Sequence, residues 1–239
     1  VVTVRVGTPV AELEAVLEGE GQTLAFEPPQ FGGQATVGGM VAAGLSGPRR
    51  PWVGAVRDFV LGCRIVTGHG KHLRFGGEVM KNVAGYDVSR LMAGSLGCLG
   101  LLTEVSLKVL PKPRSACTLR LELDVPAALD RFAEWGRQPL PITAACHDGE
   151  ALMLRLEGGE GSVKAAREAL GGEQVSPAFW TALREFQLDF FADPAPLWRL
   201  SVANDCRPAV PAGAPASCHI RLTLRGPAML KLFPQAAAN

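Results

Sequence analysis

Residues 85–113 read GYDVSRLMAGSLGCLGLLTEVSLKVLPKP, and the fold turns on this stretch. Asp87 is placed to cap a short helix through Val88, Leu91 and Met92, and Gly94 is placed to end it. In the run from Ser95 to Gly100, Gly97 and Gly100 stand three residues apart where an ordinary loop needs neither. Val105, Leu107 and Val109 then alternate with Glu104, Ser106 and Lys108, the period of a half-buried strand. Pro111 and Pro113 close it. A backbone stripped of side chains just before a strand presents N–H groups to a flat or anionic ligand. A tight turn in a plain sheet would use the same glycines, so this stretch alone leaves both readings open.

A second cluster shifts the balance. Residues 31–47 read FGGQATVGGMVAAGLSG. Thr36 can cap a helix whose first turn holds Val37, Gly38 and Gly39 and whose body is Val41, Ala42 and Ala43. Each glycine there costs ~1 kcal/mol relative to alanine. Close approach of a phosphate to the helix N-terminus is the expected reason. The spacing is not the G-x-G-x-x-G dinucleotide fingerprint, and no P-loop string occurs. A Rossmann domain is therefore disfavoured.

Composition sets the limits. A chain of 239 residues with 47% hydrophobic and 20% charged residues can bury one large or two modest cores. Its net charge of +1 gives no basic footprint for nucleic acid. The apolar runs at 37–45 and 96–102 are broken by glycine and fall short of the ~20 residues of a membrane span. The 6 cysteines, at 63, 98, 117, 146, 206 and 218, form no C-x-x-C, so neither a zinc site nor an iron–sulfur cluster is encoded. Scattered thiols fit a reducing cytoplasm. No targeting pattern stands at the start, and Val1 to Val6 already reads as a strand in mid-course, as expected of a fragment that begins inside a domain.

Along the chain, Thr8-Pro9 supplies a cap and a proline for a helix with the stripe Val10, Leu13, Val16 and Leu17, ended by Gly19. A strand is expected over 23–26. Residues 47–54, GPRRPWVG, read as a polar loop whose Arg49 and Arg50 suit solvent, an anion or a partner. Asp58 to Thr67 and Lys71 to Phe75 make a hairpin, with His69 and His72 exposed on it and no metal partner at ligand spacing. Beyond the Pro-Lys-Pro linker, strands at 116–123, 142–146, 151–156 and 198–202 alternate with helices at 126–135, 163–170 and 179–191. Apart from the added helix at 179–191, that order, βαββαβ, is the ferredoxin-like arrangement. Trp135, Phe179, Trp180 and Phe186 read as its core. Residues 204–239 are rich in Ala, Pro and Arg without sustained periodicity, and read as an irregular or aberrant tail.

The segments ATVGGMVAAGLSGPRRPWVGAVRDFVLG and FGGEVMKNVAGYDVSRLMAGSLGCLG, with the strand into LPKP, resemble the FAD-binding domain of the vanillyl-alcohol-oxidase, or PCMH, type. Within that superfamily, GPRRPWVGAVRDF and VMKNVAGYD are similar to the FAD-binding E-type subunits of bacterial glycolate oxidase. The resemblance is closest over 1–113, weaker to 203, and absent after that. It implies an α+β chain: the second part of a PCMH-type FAD-binding domain (1–113, its first subdomain missing), a ferredoxin-like cap (114–203) and the tail (204–239). It implies FAD, held by Thr36, Val37, Gly38, Gly39, Gly97, Gly100, Leu101 and Leu102, with Lys81 and Asn82 as candidates near the flavin's N1–C2 edge. There Asp87 and Tyr86 have plain structural explanations as a helix cap and as packing beneath the helix. It also implies oxidation of glycolate or a related 2-hydroxy acid, with a sister flavoprotein subunit and an iron–sulfur subunit as partners, peripheral to the inner membrane. A D-lactate dehydrogenase of the same superfamily and a non-catalytic assembly subunit remain alternatives. No catalytic base and no metal ligand is identified.

Overall fold

The computed structural model describes residues 1–77, 85–192, 197–203, 219–225 and 230–233. It divides into two compact units, Val1–Lys112 and Pro113–Asn239.

The first unit opens with strand β1 (Val2–Arg5), helix α1 (Val10–Gly19) and the short strand β2 (Gln22–Thr23). Pro9, not Thr8, stands at the cap of α1 and makes no side-chain cap bond. Val10, Leu13 and Leu17 are buried, whereas Val16 is 62% exposed, so the inward stripe is narrower than the sequence pattern implied. Leu24, Ala25 and Phe26 follow β2 as fully buried loop residues rather than as strand, with the Phe26 ring 5.1 Å from that of Phe59. Burial of each such large apolar side chain contributes roughly 1.5–3 kcal/mol.

Helix α2 (Val37–Ala43) turns Val37, Met40 and Val41 inward. The expected polar loop at 47–54 contains a single helical turn, α3 (Arg50–Val53), and the Arg49 N–H donates to Glu27 Oε2 at 2.9 Å. Strands β3 (Val60–Val66) and β4 (His72–Gly76) form the hairpin, α4 (Val88–Met92) follows, and β5 (Leu101–Leu107) and β6 (Leu110–Pro111) complete the unit. Asp87 caps α4 by accepting from the Arg90 N–H at 3.1 Å. Tyr86 does not pack beneath that helix: it is 94% exposed. The main sheet is antiparallel in the order β1-β5-β3-β4. Its core face carries Cys63, Ile65, Val105 and Leu107 against α1 and α2.

The second unit holds β7 (Ser115–Leu121), α5 (Val125–Trp135), β8 (Ile142–His147), β9 (Leu152–Gly158), α6 (Glu160–Leu170) and β10 (Glu173–Gln174). Helices α7 (Ala178–Arg184) and α8 (Asp189–Ala192) come next, and strands β11 (Leu197–Ala203), β12 (His219–Arg225) and β13 (Leu230–Phe233) join the same sheet. The order is β10-β7-β9-β8-β13-β12-β11. The first four positions are the ferredoxin-like order. Its fourth strand is therefore β10, at 173–174, and not the stretch at 198–202 that the sequence suggested. Glycines 171 and 172, both at positive φ, turn the chain straight back from α6 onto β7. The 198–202 stretch lies instead within β11, paired in parallel with β12, and the apolar run at 179–191 is split between α7 and α8. Within 204–239, where the sequence has no clear period, the described residues form β12 and β13.

Trp135 and Trp180 are buried, as core reading requires, and Phe179 and Phe186 are partly so. Trp180 donates from Nε1 to Thr118 Oγ1 at 3.0 Å and lies under the Arg155 guanidinium at 5.4 Å. The Arg155–Glu157 ion pair is almost wholly buried, and Thr143 bonds to both partners. The hydroxyl's bonds offset part of the desolvation of the two charges.

Candidate functional site

The two glycine clusters are docked on one another by their backbones. Gly94 donates to Val41 O and Leu96 to Ala42 O, each at 2.9 Å, so the 94–100 loop bonds to carbonyls at the C-terminal end of α2, where Val41 O also accepts from the Gly44 N–H. Gly44 ends α2 in the left-handed conformation, φ 68°, and a Cβ there would lie 2.9 Å from Gly94 Cα. The two backbones meet at that point.

Beside this junction lies a cavity of about 720 Å³. Thr36, Gly38, Gly39 and Ala42 line it from α2, and Gly97 to Leu102 line it from the loop and the start of β5. The strand ends complete it, with Val6 and Gly7 after β1 and Val66 to Gly68 at the hairpin turn. Of the residues expected from the sequence, Thr36, Gly38, Gly39, Gly97, Gly100, Leu101 and Leu102 therefore share one cavity. Val37 does not line it; its side chain is fully buried in the core. Lys81 and Asn82 lie outside the described residues. The contributions of Val6, Gly7, Ala42, Cys98, Leu99 and the turn at 66–68 were missed, since nothing local distinguishes a strand end that borders a cavity from one that does not.

The expected role of the α2 N-terminus is not what the structure shows. Its first amides are already taken: Val37 donates to Thr8 O at 2.9 Å, Gly38 to Val6 O at 2.8 Å and Gly39 to Thr36 Oγ1 at 3.2 Å. No donor is left to cradle a phosphate. The two glycines have separate reasons instead. A Cβ on Gly38 would sit 2.6 Å from Val6 Cβ, so Gly38 lets α2 rest on the end of β1. A Cβ on Gly39 meets only Thr36 Oγ1, at 3.2 Å, and projects beside the cavity.

The loop is where free donors lie. Its bonds are made by the amides of Gly94, Ser95, Leu96 and Cys98, which leaves those of Gly97, Leu99 and Gly100 with no acceptor among the described residues. Leu96 holds φ 52°, a left-handed value that a side chain adopts at a cost of roughly 1–3 kcal/mol. Leu99 and Leu101 are 50% and 68% exposed, an apolar surface at the cavity. Among the described residues no charged side chain lines it. The histidines of the hairpin are not among its lining residues; His72 Nε2 bonds Thr103 Oγ1 at 3.2 Å. Among the described residues no cluster of His, Cys, Asp and Glu could hold a metal, and no helix is long and apolar enough to cross a membrane.

In this unit an antiparallel sheet carries a glycine-hinged loop and a helix whose backbones line one cavity. Residues 1–76 match the family model described as FAD binding domain. The chain is 64% identical over 205 residues to glycolate oxidase subunit GlcE of Escherichia coli (strain K12), covering 86% of this chain and 59% of that protein. It is 37% identical over 119 residues to glycolate oxidase subunit GlcD of Bacillus subtilis (strain 168), 49% of this chain and 25% of that one. It is also 39% identical over 102 residues to a D-lactate dehydrogenase of Anaerostipes hadrus, 43% of this chain and 22% of that one. The chain thus spans little more than half of the first relative and about a quarter of the others. A solved structure of alkyldihydroxyacetonephosphate synthase shares the fold, with a TM-score of 0.60 at 18% identity over 80% of this chain and 42% of that one.

Proposed function

We propose that this chain is part of the FAD-binding subunit of a glycolate-oxidising complex that converts glycolate to glyoxylate. The observation that carries the proposal is the 64% identity to GlcE over 86% of the chain. The cavity supports it, because its residues suit the cofactor. The amides of Gly97, Leu99 and Gly100 can donate to the polar edge of a heteroaromatic ring, and Leu99 and Leu101 offer its face an apolar surface. Gly39 leaves room beside them. With no cationic side chain among the described residues of the lining and the α2 amides occupied, these residues suit the ring portion of FAD better than its diphosphate. When bound, FAD supplies the two-electron oxidant for a 2-hydroxy acid. Lys81 and Asn82 are proposed donors to the flavin's N1–C2 edge. The partners proposed are a sister flavoprotein subunit resembling GlcD and an iron–sulfur subunit that accepts the electrons, in a cytoplasmic complex peripheral to the inner membrane.

The test is flavin absorbance and stoichiometry of the purified chain, alone and assembled with its partner subunits, followed by anaerobic addition of glycolate or D-lactate. Bound FAD bleached by glycolate is the expected result. Bleaching by D-lactate alone would favour the second reading, a D-lactate dehydrogenase, which the match to the Anaerostipes hadrus enzyme makes specific. Assembly without FAD in this chain would leave it an assembly subunit and overturn the proposal.

Thiol chemistry gives an independent check on the cavity. Cys98 is exposed on its lining, whereas Cys63, Cys117 and Cys146 are buried, and burial pushes the Cys63 and Cys117 thiols up. Iodoacetamide at mildly alkaline pH should label Cys98 and spare these three, as read by peptide mass spectrometry. Loading with FAD should slow the Cys98 reaction roughly tenfold, since a bound cofactor covers most of its pocket. An unchanged rate in the flavin-loaded protein would take the loop out of contact with the cofactor.

A further inference from the structure

The main sheet of the first unit has a second face, turned away from its core, and the residues there fall into cross-strand rows. Arg5, Glu104, Arg64 and Arg74 are direct partners across β1, β5, β3 and β4. One row therefore carries three guanidinium groups and a single carboxylate. Glu104 Oε1 lies 2.9 Å from Arg64 Nε. Arg74, directly opposite Arg64 on β4, is exposed and has no acidic partner among the described residues. Like charges facing one another across an antiparallel pair are destabilising. The fold itself gains nothing from this one.

Against this row lies a cavity of about 310 Å³. Its floor is Thr3, Ser106, Glu104 and Arg64; Arg74 and Gly77 wall it. The hydroxyls of Thr3 and Ser106 are 2.8 Å apart and bonded to each other. Gly77 crosses so close over the sheet that a Cβ on Gly62 would lie 2.7 Å from its nitrogen, so bare backbone forms that wall. The lining shares no residue with the 720 Å³ cavity, and its chemistry is opposite: charged where the other is neutral.

We propose that this second cavity binds a small oxyanion, a carboxylate or phosphate group, between Arg64 and Arg74. A planar guanidinium fork matches the paired oxygens of either group, and an anion there relieves the Arg64–Arg74 repulsion. Glu104 occupies Arg64 in its absence and competes with the ligand. The site is independent of the flavin reading, because neither lining contributes to the other.

The experiment titrates the folded chain with inorganic phosphate and, separately, with oxalate at constant ionic strength, following the Gly62 and Gly77 amides and the arginine Nε–H groups by 1H–15N NMR. Saturable shifts confined to these groups are expected with at least one anion. Saturation by phosphate alone identifies a phosphate-bearing ligand, and by oxalate alone a carboxylate. Arg74→Gln, an exposed change that leaves the sheet bonds intact, should weaken binding roughly tenfold, the scale of one charge-assisted contact. Glu104→Gln should tighten it, and Lys71→Gln, off the lining, should leave it unchanged. Linear, unsaturable shifts, or an Arg74→Gln titration that overlays either the wild type or Lys71→Gln, would overturn the proposal. FAD content should be the same in Arg74→Gln as in the parent.

Discussion

Gly39→Val is expected to cost the protein its flavin while leaving it folded. The backbone at Gly39 is helical, and a Cβ there meets only the Thr36 hydroxyl, at 3.2 Å. A small rotation of the hydroxyl relieves that contact, and valine is no worse than glycine in a helix, so stability should stay within about 1 kcal/mol of the parent. Its methyl groups, however, project into the space where α2 faces the loop, and Gly39 lines both the 720 Å³ cavity and a smaller apolar one beside it. Overfilling a packed contact costs roughly 1–3 kcal/mol, which corresponds to about a fivefold to 150-fold loss of FAD affinity. The neighbouring Gly38→Ala should behave in the opposite sense. Its single added carbon would stand 2.6 Å from Val6 Cβ, so it should lower stability by roughly 1–3 kcal/mol whether or not flavin is present. Thermal unfolding and flavin stoichiometry of the two variants side by side separate a binding glycine from a folding one. A Gly39→Val protein with full FAD content would refute the placement of the cofactor against α2.

Much of this arrangement was legible in the sequence, for identifiable reasons. Asp87 and Thr36 announce their helices because capping is a local event, decided by a side chain and the amides two or three residues on. The hairpin and β5 follow from alternation. The glycines at 38, 39, 97 and 100 stood out because each breaks a local rule, and all four line one cavity. What the sequence misassigned was the reason for Gly38. Its partner, Val6, belongs to a different element, and no local signal reports a 2.6 Å approach. The fourth strand of the ferredoxin-like unit was hidden for a related reason. Glu173 and Gln174 have no strand pattern of their own; they pair with β7 because Gly171 and Gly172 aim them there. Val16, a member of the apolar stripe of α1, lies on the solvent side because the packed arc of that helix is narrower than its apolar arc. The row of Arg5, Glu104, Arg64 and Arg74 is invisible until strand order is known, since its members are separated in the chain and joined only by register.

Gly44→Ala should damage both stability and cofactor binding, because Gly44 is where the two glycine segments touch. It holds φ 68° at the end of α2, where alanine pays roughly 1–2 kcal/mol for the left-handed conformation. In addition its methyl carbon would lie 2.9 Å from Gly94 Cα and 3.1 Å from Gly94 N, against backbone that cannot rotate away. Relief requires the loop to retreat, which breaks the bonds from Gly94 to Val41 O and from Leu96 to Ala42 O. The combined cost should reach roughly 2–4 kcal/mol. The consequence for function comes from geometry: the amides of Gly97, Leu99 and Gly100 are positioned only because the start of their loop is pinned to α2. If the loop moves by a few tenths of an ångström, the alignment of those donors with a ligand changes, and hydrogen bonds weaken steeply with misalignment. Gly44→Ala should therefore lose FAD at temperatures where it is still folded, whereas a variant destabilised elsewhere, such as Leu183→Ala in the second unit, should retain flavin until it unfolds. Comparing flavin release with backbone unfolding by circular dichroism decides the matter. Simultaneous loss of both signals in Gly44→Ala would mean that the Gly44–Gly94 contact serves folding alone.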